Sequence, residues 1–158
     1  MHTIILNDNE QRLAKFLAKS RYETNRANNV VDLKIGSDSN ETVELEGMAA
    51  EIAYCKLMNL YVDMETDPPE MPAYDCVSRL GVRVDVKSTK HRDGHLLATL
   101  RKAKKPADKY VLVVGEFPSY SVVGEVWAED LLHEGNIKNF GYGNCYAVTQ
   151  SELNPLVK

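Results

Sequence analysis

The most regular pattern in the sequence is Val82-Arg83-Val84-Asp85-Val86-Lys87, in which apolar and charged residues alternate without a break. Because successive side chains of a β-strand point to opposite faces, this alternation predicts a strand with the three valines on one face. Valine is favoured on a buried pleated surface, so we expect that face to pack against the core. The other face carries the charged residues and places Asp85 beside Lys87, roughly 6–7 Å away along the strand.

A hairpin is predicted at this point, because residues 73–77 form a second short strand and residues 78–81 a turn. The hairpin would bring Asp75 close to Asp85. Two converging carboxylates repel each other unless a cation lies between them, and hard oxygen ligands suit Mg²⁺ or Mn²⁺. Lys87 could then steer a water molecule or neutralise a developing anion. The alternative is that Asp-x-Lys is a solvated ion pair of little energetic value.

Composition predicts one globular domain. The chain has 158 residues, of which 44% are hydrophobic and 27% charged. We divide it into an N-terminal helix and polar segment (1–41), a core (42–127) and a C-terminal helix and tail (128–158). No apolar run reaches membrane-spanning length, so no membrane association is expected. The net charge of −4 argues against a general polyanion binder but is compatible with a local basic groove.

The cysteines indicate a reducing compartment. Cys55, Cys76 and Cys145 are widely spaced single residues. They form neither a CxxC motif nor an even disulfide framework, which favours the cytoplasm. The start of the chain also lacks the basic and long apolar regions of a signal peptide.

Glu51 stands in the middle of the second predicted helix, which runs from about Thr42 to Asn59. The helix is apolar nearly all round, as is typical of a helix covered on several sides. Gly47 and Cys55, one turn away from Glu51 on either side, are both small. A carboxylate in this setting is costly unless it is paired or bound to a cation. The alternative is that Glu51 points to solvent.

The remaining elements follow from periodicity and from turn residues. A first helix is predicted from Asn7 or Asp8 to about Ser20, and residues 21–29 either extend it or form a separate segment. Strands are predicted near 95–100, 110–116, 121–127 and 145–148. A basic loop is predicted at 101–106 and a short helix at 128–132.

Basic residues flank the charged strand face and are candidates for contacts to backbone phosphates. Their alternative role is that of an ordinary solvated loop. They are Lys90, Arg92, Arg101, Lys102, Lys104 and Lys105. His91 and His95 have the spacing of a zinc pair only on a helix, and the strand pattern around them opposes this.

In this order, a helix with Glu51, a strand with Asp75 and a strand with Asp85-Val86-Lys87 resemble the PD-(D/E)XK nuclease superfamily, and in particular its small phage-encoded members. Asp75 matches the family's first acid, although Tyr74 stands in place of the proline. Asp85 to Lys87 match its (D/E)-x-K motif, and Glu51 matches its helix-borne glutamate. The resemblance covers roughly residues 45–126.

The resemblance implies a single α/β (α+β-like) domain with a restriction-endonuclease-like core, in which helices flank a central mixed β-sheet. It implies a Mg²⁺-dependent DNA endonuclease, with Mn²⁺ as a substitute. Asp75, Asp85 and the Val86 carbonyl would bind the ion, and Glu51 would hold a second ion or a bound water. Lys87 would orient the attacking water.

One departure from the family concerns the crossover helix. A parallel crossover needs about a dozen residues or more, and residues 101–109 are too few for it. Either the helix is reduced, or the strand at 110–116 pairs differently.

Two alternatives to the enzyme stay open. One is a catalytically inactive nuclease fold that binds nucleic acid or a protein partner, and the other is a structural domain with acids on its surface. The expected location is the cytoplasm of a bacterial or phage-infected cell, and the expected partner is DNA. The sequence is compatible with a homodimer and does not select a DNA form.

Overall fold

Eight strands in two sheets and two long helices make up most of the computed structural model, which describes residues 2–29, 39–67 and 73–157. The strands are β1 (His2–Ile5), β2 (Cys76–Val77), β3 (Arg83–Thr89), β4 (Leu96–Thr99), β5 (Lys109–Glu116), β6 (Ser119–Trp127), β7 (Ile137–Asn139) and β8 (Asn144–Val148). The helices are α1 (Asp8–Ala27), α2 (Asn40–Met58) and α3 (Ala128–Leu131), with 3₁₀ turns at Leu100–Lys104, Glu134–Asn136 and Gln150–Glu152.

The larger sheet has the strand order β1-β6-β5-β3-β2, and the smaller one has the order β4-β8-β7. In the larger sheet β3 and β5 are parallel, while the other neighbours are antiparallel. The fold is therefore mixed α/β, as the sequence predicted. Within the described ranges, no helix is both long and apolar enough to cross a membrane.

Two hydrophobic clusters lie on opposite faces of the larger sheet. On one face α1 and α2 pack against the valines of β3 and β5, such as Val84 and Val111. On the other face Leu96 and Tyr146, from the smaller sheet, pack with Leu112. The larger sheet is consequently covered on both sides, which explains why β5 is an almost continuous apolar run.

The helices begin where their sequences provide caps. Asn7 caps α1, because its side chain accepts the backbone N–H of Glu10 at 3.0 Å and the Glu10 carboxylate accepts the N–H of Asn7 at 2.7 Å. The helix continues to Ala27, so residues 21–27 extend it. In α2 every residue from Met48 to Cys55 except Glu51 is buried, as expected for a helix covered on several sides.

The predicted hairpin is present. β2 pairs with β3 in antiparallel register, with Cys76 opposite Val84. The turn between them ends at Gly81, whose φ of +82° is a backbone conformation that favours glycine. The chain thus returns at once along β3, and β5 lies between β3 and β6 in the middle of the sheet.

The connection from β3 to β5 differs from the nuclease pattern. The strand predicted at residues 95–100 forms β4, which joins the smaller sheet because its alternating residues Leu96 and Ala98 pack onto the covered face of the larger one. The predicted basic loop folds as the 3₁₀ turn Leu100–Lys104. The connection, which lies wholly within the described residues, therefore contains this turn and no crossover helix, and β5 pairs in parallel with β3.

Candidate functional site

The two aspartates lie close together at the edge of the larger sheet where β2 begins. The backbone N–H of Asp75 donates to the Val84 carbonyl at 2.8 Å, so the contact between the two segments continues one residue before β2 and brings Asp75 near Asp85, the residue after Val84. One oxygen of the Asp75 carboxylate accepts the Val86 N–H at 2.6 Å. The hairpin therefore brings together the two acids that the sequence analysis selected.

Asp85 is a buried carboxylate with two ammonium partners. Its side chain is only 1% exposed; one oxygen forms an ion pair with Lys87 and the other with Lys102. The charged face of β3 is covered at Asp85. Tyr110, the residue next to Asp85 on β5, is fully buried and packs against residues of the smaller sheet. The alternative of a solvated Asp-x-Lys pair is therefore wrong.

Lys102 lies in the site itself, whereas the sequence predicted it in the basic loop that flanks the site. Its ammonium faces the site, where it pairs with Asp85 and also donates to the Ala73 carbonyl at 3.1 Å. The reason lies in the 3₁₀ turn, in which residues three apart share a face. Arg101 and Lys104 share the exposed face, and Lys102 points elsewhere. A helical reading of the basic loop would have provided this signal.

Glu51 faces the same edge from α2. Its side chain is 13% exposed and forms a 3.2 Å ion pair with Arg21 of α1. The Arg21 guanidinium also donates to the carbonyls of Asp63 and Glu65, at 3.2 Å each. The alternative in which Glu51 points to solvent is therefore wrong. Arg21 was missed, because its position depended on whether α1 continued past Ser20.

The three acids Glu51, Asp75 and Asp85, here called the carboxylate cluster, repel one another. Burial, followed by the charge of Asp85, raises the pKa of Asp75 to about 6, against the pull of Lys87, the Val86 N–H and Lys102. Burial and the charge of Asp75 raise the pKa of Glu51 well above its usual value, and Arg21 only partly offsets this. Such mutual repulsion is typical of sites that bind a cation or transfer a proton.

Lys87 stays charged in this setting. Burial opposes its charge, but Asp85 and Asp75 outweigh burial, so the pKa of Lys87 is raised above its ordinary value. Within the cluster and its partners, three carboxylates face three basic groups, namely Arg21, Lys87 and Lys102. The charge is thus balanced without an added ion.

The donor set fits a hard divalent cation in chemical type. It offers carboxylate oxygens, and the Val86 carbonyl points to the same edge, because alternate residues of a strand repeat their direction and the Val84 carbonyl faces β2. The side chains are not gathered into a ready cage, since the part of the chain described contains no cluster of three or more His, Cys, Asp or Glu side chains able to hold a metal.

Two buried thiols lie next to residues of the site. Cys55 of α2 and Cys76 of β2 are both buried, and a hydrogen bond between their side chains lowers the pKa of Cys55 and raises that of Cys76. Cys76 directly follows Asp75, so this contact holds β2 against the helix that carries Glu51.

The other predicted residues lie around the site. Lys90, Arg92, Arg101, Lys104 and Lys105 are exposed, as phosphate-contacting residues would be. His91 is also exposed and does not lie on a helix, whereas His95 contacts the Phe140 ring at 5.4 Å between centroids. The histidines therefore do not form the helical zinc pair that the sequence analysis considered and disfavoured.

A search of curated proteins found no match to this chain. Residues 2–122 match a family described as a family of unknown function, DUF5843. This range contains all the site residues described above. Since the match covers most of the 158 residues, the chain belongs to the DUF5843 family.

Proposed function

We propose that the protein is a Mg²⁺-dependent DNA endonuclease. The observation that carries the proposal is the position of Asp75 at the open end of the β2–β3 hairpin, where it bonds to Val84 and Val86 on either side of Asp85. Lys87, on the same strand, forms an ion pair with Asp85. Burial and then the charge of Asp85 raise the pKa of Asp75, and a bound cation would favour its charged form.

Each residue has a role in this proposal. Asp75, Asp85 and the Val86 carbonyl hold the ion, and Glu51 holds a water or a second ion. Lys87 orients the attacking water and stabilises negative charge that develops on the phosphoryl oxygens. When bound, Mg²⁺ would supply a Lewis acid that polarises the phosphoryl group and acidifies water. Mn²⁺ is expected to replace it, because both ions prefer oxygen donors.

The DNA backbone would lie along the exposed basic residues. Arg101 and Lys104 share one face of the 3₁₀ turn, and Lys90 and Arg92 follow the end of β3. Since β3 and this turn both supply partners to Asp85, phosphates bound by these residues would pass close to the site. Contacts of this kind fix the position of DNA without reading its sequence.

A reducing compartment, the cytoplasm of a bacterial or phage-infected cell, is the proposed location. Cys55, Cys76 and Cys145 are all unpaired as disulfides and buried, and free buried thiols are the usual state of cysteine in reducing compartments.

A second candidate function is that of an inactive nuclease fold that binds nucleic acid or a protein partner. The observation that favours it is the charge balance at Asp85, whose two oxygens already face Lys87 and Lys102. A site that is neutral without a metal ion could be a purely structural ion-pair network.

Cleavage of closed circular DNA decides between the two. The protein is incubated with supercoiled circular, linear and four-way-junction DNA in Mg²⁺, Mn²⁺ or EDTA, and Asp75→Asn, purified in parallel, controls for contaminating nucleases. The endonuclease proposal predicts nicked or linear product from the circle with either ion and none with EDTA or with the variant. Binding of DNA without cleavage of any form would instead support the inactive nuclease fold.

A further inference from the structure

Lys102 does not belong to the sequence motif, yet its ammonium pairs with one of the two oxygens of Asp85. The same ammonium donates to the carbonyl of Ala73, two residues before Asp75. One side chain therefore links β3 to the segment that leads into Asp75. Its ammonium occupies one oxygen of Asp85 that a bound cation would need.

An ammonium and a divalent ion at the same carboxylate oxygen repel each other, because both are positive, so each weakens the binding of the other. Of the two partners of Asp85, Lys87 lies on the same strand and two residues away, so its backbone is fixed relative to the acid. Lys102 comes from a separate 3₁₀ turn, and its side chain is 25% exposed. The flexible four-carbon stem of a lysine can carry its ammonium away without any change in the sheet.

We propose that Lys102 is a positioning residue that acts as the internal counter-ion of Asp85: its ammonium holds the place of the divalent cation in the ion-free protein and leaves when the ion binds. This inference rests on the metal site of the proposed function. Without the ion, Lys102 keeps Asp85 charged and buried and holds the segment at Ala73, two residues before Asp75, in place. After the ion binds, the ammonium joins Arg101 and Lys104 on the basic face of the turn.

The inference is tested by direct titration of Mn²⁺ and Ca²⁺ into the DNA-free protein by isothermal titration calorimetry. Lys102→Met removes the competing charge but keeps the length of the side chain, and Lys102→Arg keeps the charge. Lys19→Met is the matched control, because it removes one positive charge from an exposed position on α1. We expect Lys102→Met to bind Mn²⁺ about tenfold more tightly than the wild type, with the other two variants close to the wild type.

Stability gives a second readout, since a residue that is only structural would lower stability without improving ion binding. Without ions, Lys102→Met should melt at a lower temperature than the wild type, because Asp85 loses one of its two counter-charges. With Mn²⁺, its melting temperature should rise by more than that of the wild type. Lys102→Gln, which can still donate to the Ala73 carbonyl, serves as a second neutral variant if Lys102→Met does not fold.

The outcomes separate this inference from the proposed activity. Equal or weaker Mn²⁺ binding by both neutral variants would overturn the role of Lys102, while DNA cleavage by the wild type would still support the endonuclease. Tighter binding by the neutral variants, without cleavage by any protein, would support the counter-ion and reject the endonuclease. If no variant binds either ion at millimolar concentration, both proposals are wrong.

Discussion

Val86 donates its backbone N–H to the carboxylate of Asp75 across 2.6 Å. The first acid of the site is thus oriented by the backbone of the strand that carries the second acid. A backbone donor within a sheet cannot change rotamer, so Asp75 is held in place more firmly than a side-chain partner would hold it. The Val86 carbonyl points to the same edge of the sheet, which brings three of the proposed ion ligands to one strand end.

Divalent ions should raise the melting temperature of the wild type. An ion that binds only the native state stabilises it by mass action, by about 2.7 kcal/mol at a hundredfold excess over Kd. For a chain of this length, that free energy corresponds to a rise of about 5–10 °C. Differential scanning calorimetry with Mn²⁺ or Mg²⁺, compared with EDTA, measures it.

The control for the melting experiment is Asp85→Asn. Its melting temperature in EDTA should already be low, because Lys87 and Lys102 lose their common partner. The quantity to compare is therefore the rise caused by the ion, which we expect to be mostly lost. A full rise in Asp85→Asn would place the ion elsewhere, and no rise in the wild type would argue against any ion site.

Stability in EDTA should fall as the pH rises from about 4 to about 6. The pKa of Asp75 is raised from the ordinary value of 3.8 to about 6 in the folded protein. The native state therefore binds this proton more tightly than the unfolded state, and loss of the proton favours unfolding. The stabilisation by protonated Asp75 is fully present below the pKa of Asp75 in the unfolded state. It is lost as the pH rises through the pKa of Asp75 in the folded state.

Urea denaturation at several pH values tests this dependence against Asp75→Asn, which cannot lose a proton at this position. The pKa of Glu51 is also raised, so the variant is expected to keep part of the slope. The difference between the two proteins isolates Asp75. Parallel curves for the wild type and the variant would show that Asp75 titrates normally.

The central hairpin was predictable because its determinants are local. The alternation from Val82 to Lys87 specifies a strand, and the turn that ends at Gly81 specifies the reversal, so the approach of Asp75 to Asp85 follows from neighbouring residues alone. The burial of Asp85 was not predictable in this way. It depends on the smaller sheet, in which β4 pairs with β8, a strand far away in the sequence, and which packs against Tyr110, the neighbour of Asp85 on β5.

The two basic partners of the cluster were missed for related reasons. Arg21 reaches Glu51 only because α1 continues to Ala27, and the polar composition of residues 21–29 does not reveal where a helix ends. Lys102 reaches Asp85 because the crossover between β3 and β5 carries a 3₁₀ turn. The contact of Lys102 with Asp85 depends on how this turn packs against β3. Composition alone predicted a basic loop in which all the lysines and arginines have the same role.

The double variant Arg101→Ala/Lys104→Ala should bind DNA more weakly than the wild type. Both residues are exposed on one face of the 3₁₀ turn, whereas Lys102 belongs to the site and is left unchanged. If each residue neutralises one phosphate, the slope of log K against log salt concentration should fall by about 2. Fluorescence anisotropy at several salt concentrations measures both quantities.

A charge-matched control for the DNA measurement is Arg12→Ala/Lys19→Ala, which removes two positive charges from exposed positions on α1. Its DNA affinity and its slope of log K against log salt concentration should match those of the wild type, apart from the small effect of the changed net charge. Equal losses in the two double variants would show a non-specific charge effect, and unchanged binding in Arg101→Ala/Lys104→Ala would move the DNA groove to another surface.

Lys87→Ala should separate catalysis from binding. The substitution removes one ammonium but leaves Asp75, Asp85 and Lys102 in place, and Lys102 still neutralises one oxygen of Asp85. The variant is therefore expected to fold. If Lys87 acts mainly in the transition state, single-turnover cleavage should fall by orders of magnitude, whereas DNA affinity should change little.

Asp75→Asn provides the comparison for Lys87→Ala. We expect Asp75→Asn to stop cleavage because the ion is no longer bound, whereas Lys87→Ala should stop it because the attacking water is no longer oriented. Asp75→Asn removes a negative charge near the phosphates, so in EDTA its DNA affinity should equal or exceed that of the wild type. Gel-shift measurements give the affinities, in EDTA for Asp75→Asn and, for Lys87→Ala, in Ca²⁺, an ion expected to support binding but not chemistry. Cleavage by Lys87→Ala at the wild-type rate would remove Lys87 from the mechanism, since its ammonium would then serve only to balance the charge of Asp85.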